Sequence, residues 1–450
     1  MTYVAGIFIG GGRYGTGKTT LMDLLGSTKT RKINLFRNPT YRDQRLNMEW
    51  FALYHIENDI FVIEGFGPDL ISNLDNLPQG ISNEYSFSIR YNFAEQQVRY
   101  HEYIQLQEVM REGQRLTLDS VFHSLYMINE KQRDWFTGNA VMDGHDHYVG
   151  FKRGYLNDPS YSNLYSFMSR ESQALEPDFA ALDPVCLLEL QDNLFEPFIF
   201  SDEKLAAFDL NLYQDKSKAY YFNFLKTGEE WTVRKLFVIR YLEMLVIDIW
   251  MNLCKKLLTD EVLVSCAAEI ENMEFSSDHY EARVNYLYDV ISCFERVRTG
   301  NGDPDWAYFD LTAIRRFIAA LNQLEDQQFI STKKINAAVN EGFNSDVYEW
   351  LKCIDKERKR LHGAYFMFRV QFKNLSAGEL EFINGFANLH TAIEIAIESN
   401  EIDTLLLLLD EPDASFHPEW SRRYIYNLVA FLNSIDVGRR VNYQIVISTH

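Results

Sequence analysis

Five consecutive leucines, Leu405 to Leu409, run without a polar interruption into Asp410, Glu411 and Pro412. An apolar run of this length, lacking any alternation, predicts a strand buried on both faces, as in parallel sheets covered by helices. Two more short apolar runs have the same character. Tyr3 to Ile9 ends in Gly10-Gly11-Gly12, and Tyr443 to Ile447 ends in Ser448-Thr449-His450. Ile60 to Ile63 reads as another strand. Tyr85 to Phe93 alternates, with Tyr85, Phe87, Ile89, Tyr91 and Phe93 on one face, which predicts a half-buried antiparallel strand. Alternation returns in Tyr365 to Phe372.

From about residue 96 to about 362 the pattern is mostly helical, with helices predicted over Trp231 to Leu258, Tyr280 to Arg298, Leu311 to Leu324 and Val347 to Leu361. No a/d heptads are sustained long enough for a coiled-coil arm, so this region reads as a compact helical lobe. A last long helix carries Leu380, Ile383, Phe386, Ala387, Ile393 and Ala396 on its apolar side. The expected organisation is an α/β sheet built from residues 1–95 and 363–450, interrupted by a large helical insertion over 96–362. A chain of 450 residues exceeds what one core usually holds, in keeping with that division.

Composition narrows the function classes. The formal charge of −20 argues against a polyanion as a global partner. Cys186, Cys254, Cys266, Cys293 and Cys353 show no CxxC spacing, which fits reduced thiols in a cytoplasmic protein. Leu236 to Cys254 is the most hydrophobic segment, yet it carries Arg240, Glu243 and Asp248 and reads as a buried helix, not a membrane span.

The chemistry concentrates near the two ends. Gly12 to Thr20 matches G-x-x-x-x-G-K-[ST], and it follows a strand and opens a helix. Glycines let backbone N–H groups turn toward phosphate oxygens, and the helix N-terminus faces the same charge. Lys18 reaches the β- and γ-phosphates in this pattern, and the Thr19 hydroxyl ligates Mg²⁺. Ser376 and Glu379 form an S-x-x-E capping box. Asp410 leaves a buried strand, where a carboxylate is costly unless a cation such as Mg²⁺ meets it. Asp143-Gly-His145-Asp-His147 alternates possible ligands but reads as a polar loop, and Asp183, Glu189 and Asp192 have no nuclease spacing.

Together these residues resemble the ABC-type ATPases. Gly12–Thr20 looks like Walker A, Leu375–Glu379 (LSAGE) like the ABC signature, LLLLLDEP like Walker B with its catalytic glutamate, and His450 like the switch histidine. The interval from Thr19 to Leu375 is far longer than in transporter subunits. The tail Ser415-Phe-His417-Pro418-Glu-Trp420 is similar to that of the soluble OLD-like group, many members of which serve antiphage defence beside a nuclease, as in Septu- and PARIS-type systems. The resemblance implies an ATPase head that dimerises head to tail or forms a higher oligomer. ATP would be held by Gly12, Arg13, Tyr14, Gly15, Thr16, Gly17, Lys18, Thr19 and Thr20 of one chain, and by Ser376, Gly378 and Glu379 of the other. Asp410 and Thr19 would hold Mg²⁺, Glu411 would act as general base, and His450 would contact the γ-phosphate. A nuclease effector and a phage-protein trigger are the implied partners, with direct DNA binding left open. A DNA-clamping repair ATPase and a scaffold that binds ATP with little turnover are the other readings. Tyr14 and Thr16 depart from the usual loop residues, Gln44 and Gln97 are weak matches to a Q-loop glutamine, and the chain is expected to continue past His450.

Overall fold

Leu405, Leu407, Leu408 and Leu409 are fully buried, and the strand they form pairs in parallel with a neighbour on each side. The structure, a computed structural model, describes residues 3–11, 50–57, 60–66, 84–103, 108–111, 114–117, 122–127, 160–176, 179–190, 231–255, 260–273, 279–300, 311–360, 367–399, 404–413, 416, 418–435 and 441–449. These residues hold a mixed α/β arrangement.

From the N-terminus come β1 (Tyr3–Gly11), β2 (Trp50–Glu57), β3 (Ile60–Phe66), β4 (Glu84–Asn92), β5 (Gln97–Tyr103), β6 (Glu108–Arg111), β7 (Gln114–Thr117) and β8 (Phe122–Met127). There follow α1 (Tyr161–Arg170), β9 (Val185–Leu190), α2 (Val233–Lys255), α3 (Asp260–Glu271), α4 (Tyr280–Gly300), α5 (Leu311–Gln323), β10 (Phe329–Ser331), β11 (Lys334–Ala338), α6 (Ser345–Arg360) and β12 (Phe368–Lys373). The last elements are α7 (Ala377–Ser399), β13 (Thr404–Asp410), α8 (Pro418–Ser434) and β14 (Asn442–Thr449).

The chain divides into two compact units. One comprises Met1–Pro159, Glu171–Asp178 and Ser376–His450, and the other Ser160–Arg170 and Phe179–Leu375. In the first, β1, β14, β13 and β8 make a four-stranded sheet in that order, every pair parallel. A separate antiparallel sheet runs β2-β3-β4-β5, and β6 and β7 form a two-stranded ribbon. The helices of this unit bury stripes at helical spacing: Phe382, Ile383, Phe386 and Ala387 on α7, and Tyr424, Asn427, Leu428, Phe431 and Leu432 on α8. Asn427 is fully buried because its amide is satisfied, accepting from the Glu176 N–H at 2.8 Å and donating to the Glu176 carbonyl at 2.9 Å.

The second unit is not helices alone. It also holds a four-stranded antiparallel sheet in the order β10-β11-β9-β12. Its α2 buries every residue from Leu236 to Val246, as its composition predicts, including Arg240 and Glu243. Glu243 is fully buried because Arg283 of α4, equally buried, donates to its Oε1 through Nε at 3.1 Å. Asp355 of α6 caps α1. Its carboxylate accepts from the Tyr161 and Ser162 N–H groups at 3.0 Å each, and from the Ser160 and Ser162 hydroxyls at 2.8 and 2.6 Å. The helical pattern read from about residue 96 also gives way to strands, β5 through β8, which precede α1 among the described residues. Among the described residues no helix is long and apolar enough to cross a membrane.

Candidate active site

The parallel pairing fixes which residues share one edge. Gly11, the last residue of β1, lies opposite Thr449, and Ser448 lies opposite both Gly10 of β1 and Asp410 of β13. Parallel strands leave a sheet on the same side, so Gly11, Asp410 and Thr449 all end at one carboxyl edge. That edge is where α/β sheets take their ligands.

Asp410 is fully buried at this edge, and its Oδ1 accepts a hydrogen bond from the Ser448 hydroxyl. The next residue turns sharply: Glu411 has φ +47°, in the left-handed region that a glutamate rarely adopts. Its amide N–H donates both to the Ser448 carbonyl and to Ser448 Oγ, each at 3.1 Å. The left-handed turn takes the chain abruptly out of the ladder, and the two bonds to Ser448 hold it there. Backbone strain of this kind concentrates at functional sites.

Beyond Glu411 the Phe416 N–H donates to the Asp413 carbonyl at 3.1 Å, and α8 begins at Pro418. Phe416 and Trp420 pack on Phe382 of α7, with ring centroids 5.2 and 5.0 Å away. Phe386 continues the cluster onto Tyr424 and Phe431. Burial, with the nearby Asp413 carboxylate, pushes the Tyr424 hydroxyl well above its ordinary pKa.

At the start of α7 the capping box forms in both directions. The Ser376 N–H donates to Glu379 Oε2 at 2.6 Å, and the Glu379 N–H donates to Ser376 Oγ at 3.3 Å. Gly378 occupies the first turn in open space. A Cβ there would meet nothing within 4 Å among the described residues, and its φ is not in the region that favours glycine.

Of the residues singled out in the sequence, Asp410, Glu411, Ser376, Gly378 and Glu379 are described. Gly12 to Thr20, His450, the Asp143–His147 loop, Gln44 and His417 lie outside the described residues. Gln97 opens β5 opposite Asn92, at a hairpin held by Asn92 Oδ1. Sequence reading passed over two things: the bridging role of Ser448 and the packing role of Phe416 and Trp420. The signal for Ser448 was its place one residue from the end of a buried strand, which only the cross-strand register turns into contact with Asp410.

The donor chemistry at Asp410 suits a hard cation. Among the described residues no group of three His, Cys, Asp or Glu side chains could hold a metal by itself. One carboxylate at a sheet edge fits Mg²⁺, which takes one or two protein oxygens and fills the rest of its octahedron with phosphate oxygens and water. No protein-family model matches the chain, and no curated protein matches it.

Proposed function

We propose that the chain is an ABC-type ATPase that binds ATP with Mg²⁺, hydrolyses it to ADP and phosphate, and acts as a head-to-tail dimer or higher oligomer. The observation that carries this reading is the common edge of β1, β14 and β13. There Gly11, Thr449 and Asp410, the residues that directly precede Gly12, His450 and Glu411 in sequence, end neighbouring parallel strands. Gly378 adds support. Among the described residues nothing lies within 4 Å of where its Cβ would stand, which leaves room for a close approach to the start of α7.

In this reading Asp410 and Thr19 hold Mg²⁺, which neutralises phosphate charge when bound. Lys18 and the loop amides bind and orient the phosphates. Glu411 accepts a proton from the attacking water as general base. Ser376, Gly378 and Glu379 of a second copy close over the nucleotide and exclude water. The test is ATP binding and turnover by the full chain. Lys18→Ala should abolish binding, and Glu411→Gln should keep binding while hydrolysis stops and an ATP-bound dimer accumulates. Turnover unchanged in Glu411→Gln would refute the assignment.

For the biological role, the likeness of the Ser415–Trp420 tail to the OLD-like group supports a sensor or regulatory subunit of a bacterial antiphage complex that controls a nuclease effector. The acidic charge of the chain suits a protein partner better than DNA. Co-purification of a nuclease whose activity changes with ATP would support this role. Salt-dependent duplex binding by the chain alone would favour the DNA-clamping reading instead.

A further inference from the structure

We propose that Ser448 is a positioning residue that sets Asp410 and Glu411 in their working geometry through a single hydroxyl. The proposal rests on the reading that Asp410 holds Mg²⁺ and Glu411 directs water. The Ser448 side chain bridges two strand ends: its O–H donates to Asp410 Oδ1, and its Oγ accepts the Glu411 N–H at 3.1 Å. The proton and the lone pair of one oxygen therefore fix two consecutive residues that have separate tasks. With its O–H committed to Asp410, the hydroxyl leaves only a lone pair for the Glu411 amide, so the direction of both bonds is settled.

Each bond has a consequence for the site. A donor on Oδ1 fixes the rotation of the carboxylate plane, and so decides which lone pairs face the cation. The bond to the Glu411 amide, joined by the second bond from the same N–H to the Ser448 carbonyl, holds the left-handed turn at Glu411. Ser448 is itself 3% exposed and pinned between Gly10 and Asp410 in the ladder, so the hydroxyl has little freedom to point elsewhere. The bland account of the same contacts is that Ser448 only ties β14 to β13. That account predicts lost stability with intact chemistry. Removing a group that orients a metal ligand typically costs 10- to 100-fold in metal affinity or rate, which is large enough to separate the two.

The experiment uses the full chain with Ser448→Ala, Ser448→Cys and Ser448→Thr. Cysteine keeps the volume but is a weak hydrogen-bond partner, and threonine keeps the hydroxyl. Two quantities are read: Mn²⁺ affinity in the presence of ATP, by electron paramagnetic resonance, and kcat and KM for ATP. Alanine and cysteine should each weaken Mn²⁺ affinity and lower kcat by about tenfold or more, with KM for ATP nearly unchanged, and threonine should restore both. Wild-type Mn²⁺ affinity and kcat in the cysteine variant would overturn the proposal and leave the ATPase reading standing. Absence of ATP binding in the wild-type chain would instead remove that reading, and the proposal with it.

Discussion

Phe382 of α7 meets Trp420 of α8 edge-on, with ring centroids 5.0 Å apart and planes at 82°. This pair joins the helix that opens with Ser376 to the segment that follows Asp410 and Glu411, so two parts of the proposed nucleotide site cannot shift independently. Phe416 reinforces the joint against the same Phe382 ring. Edge-to-face geometry adds to the area buried, because the positive ring edge meets the negative face.

Phe382→Ala removes the shared ring at a position 1% exposed, and should cost about 3 kcal/mol of stability through the cavity it leaves. Chemical denaturation followed by tryptophan fluorescence would report it, fitted with more than one transition because the chain has two units. Phe382→Leu fills most of the space and should lose much less. Equal losses would mean that the edge-on ring contacts, and not the space filled, are what joins α7 to α8.

The Glu243–Arg283 pair makes the opposite kind of prediction. Both side chains are fully shielded from water, so removing one partner strands a buried charge. Glu243→Ala should destabilise by about 3 kcal/mol or more, while Glu243→Leu with Arg283→Met should recover much of the loss. A double-mutant cycle measured by urea denaturation decides between a pair that stabilises and one that is only mutually necessary.

Alkaline pH should weaken the fold. Burial pushes the Cys186 thiol from 9.0 up to about 12, with the Asp355 carboxylate adding to it. Burial likewise raises the Tyr443 and Tyr280 hydroxyls from 10.0 to about 12. Each group ionises more readily in the unfolded chain than in the folded one. The stability this confers is therefore fully present below pH 9.0 and is lost as pH rises toward about 12. The urea midpoint should stay level from neutral to pH 9.0 and then fall. A midpoint that held level to about pH 12 would contradict the burial of these groups.

Glu411 carries strain that the chain could do without. Gln96, Asn374 and Asp183 also have positive φ; Asn and Asp tolerate that region, whereas glutamate and glutamine rarely adopt it. Glu411→Gly should therefore raise stability by about 1 kcal/mol, since the left-handed turn and its amide bonds to Ser448 persist. ATP hydrolysis should disappear in the same variant. Lower stability on thermal denaturation would show that the Glu411 side chain holds the turn.

The parts of this fold legible in the sequence are those with a long, uniform period. Leu405 to Leu409 declares a doubly covered strand with no structure in hand, and the Ser376–Glu379 box declares a helix start, because each depends on neighbours within four residues. The sheet of the second unit was not legible for the converse reason. β10 has three residues and β11 five, and each is too short to display a period. Their connection through Thr332-Lys333 has none of the Asn-Gly chemistry that marks a tight hairpin. β9 does alternate, with Cys186, Leu188 and Leu190 inward, but six residues can sit equally well on a helix. The partnership of Ser448 with Asp410 depends on register between strands far apart in sequence, which no local pattern encodes. The aromatic cluster was hidden differently: Phe416 and Trp420 read as a family-like tail when their immediate task is to pack on Phe382.

Gly378 separates folding from function most cleanly. Within a helix, alanine is favoured over glycine because glycine loses more backbone entropy on folding, and at this position nothing among the described residues lies within 4 Å to oppose a methyl group. Gly378→Ala should therefore stabilise the isolated chain slightly, by about 0.5 kcal/mol given its place in the first turn. If a second copy brings its nucleotide against the start of α7, the same methyl group intrudes on that contact. ATP-dependent dimerisation and turnover should then fall even as the melting temperature rises, while ATP binding to the monomer through Gly12–Thr20 is unaffected. Analytical ultracentrifugation with ATP and Glu411→Gln as the trapping background would measure the first effect, and a thermal scan the second. A variant that is more stable and still dimerises fully would leave Gly378 with no role in assembly, and would count against the head-to-tail arrangement.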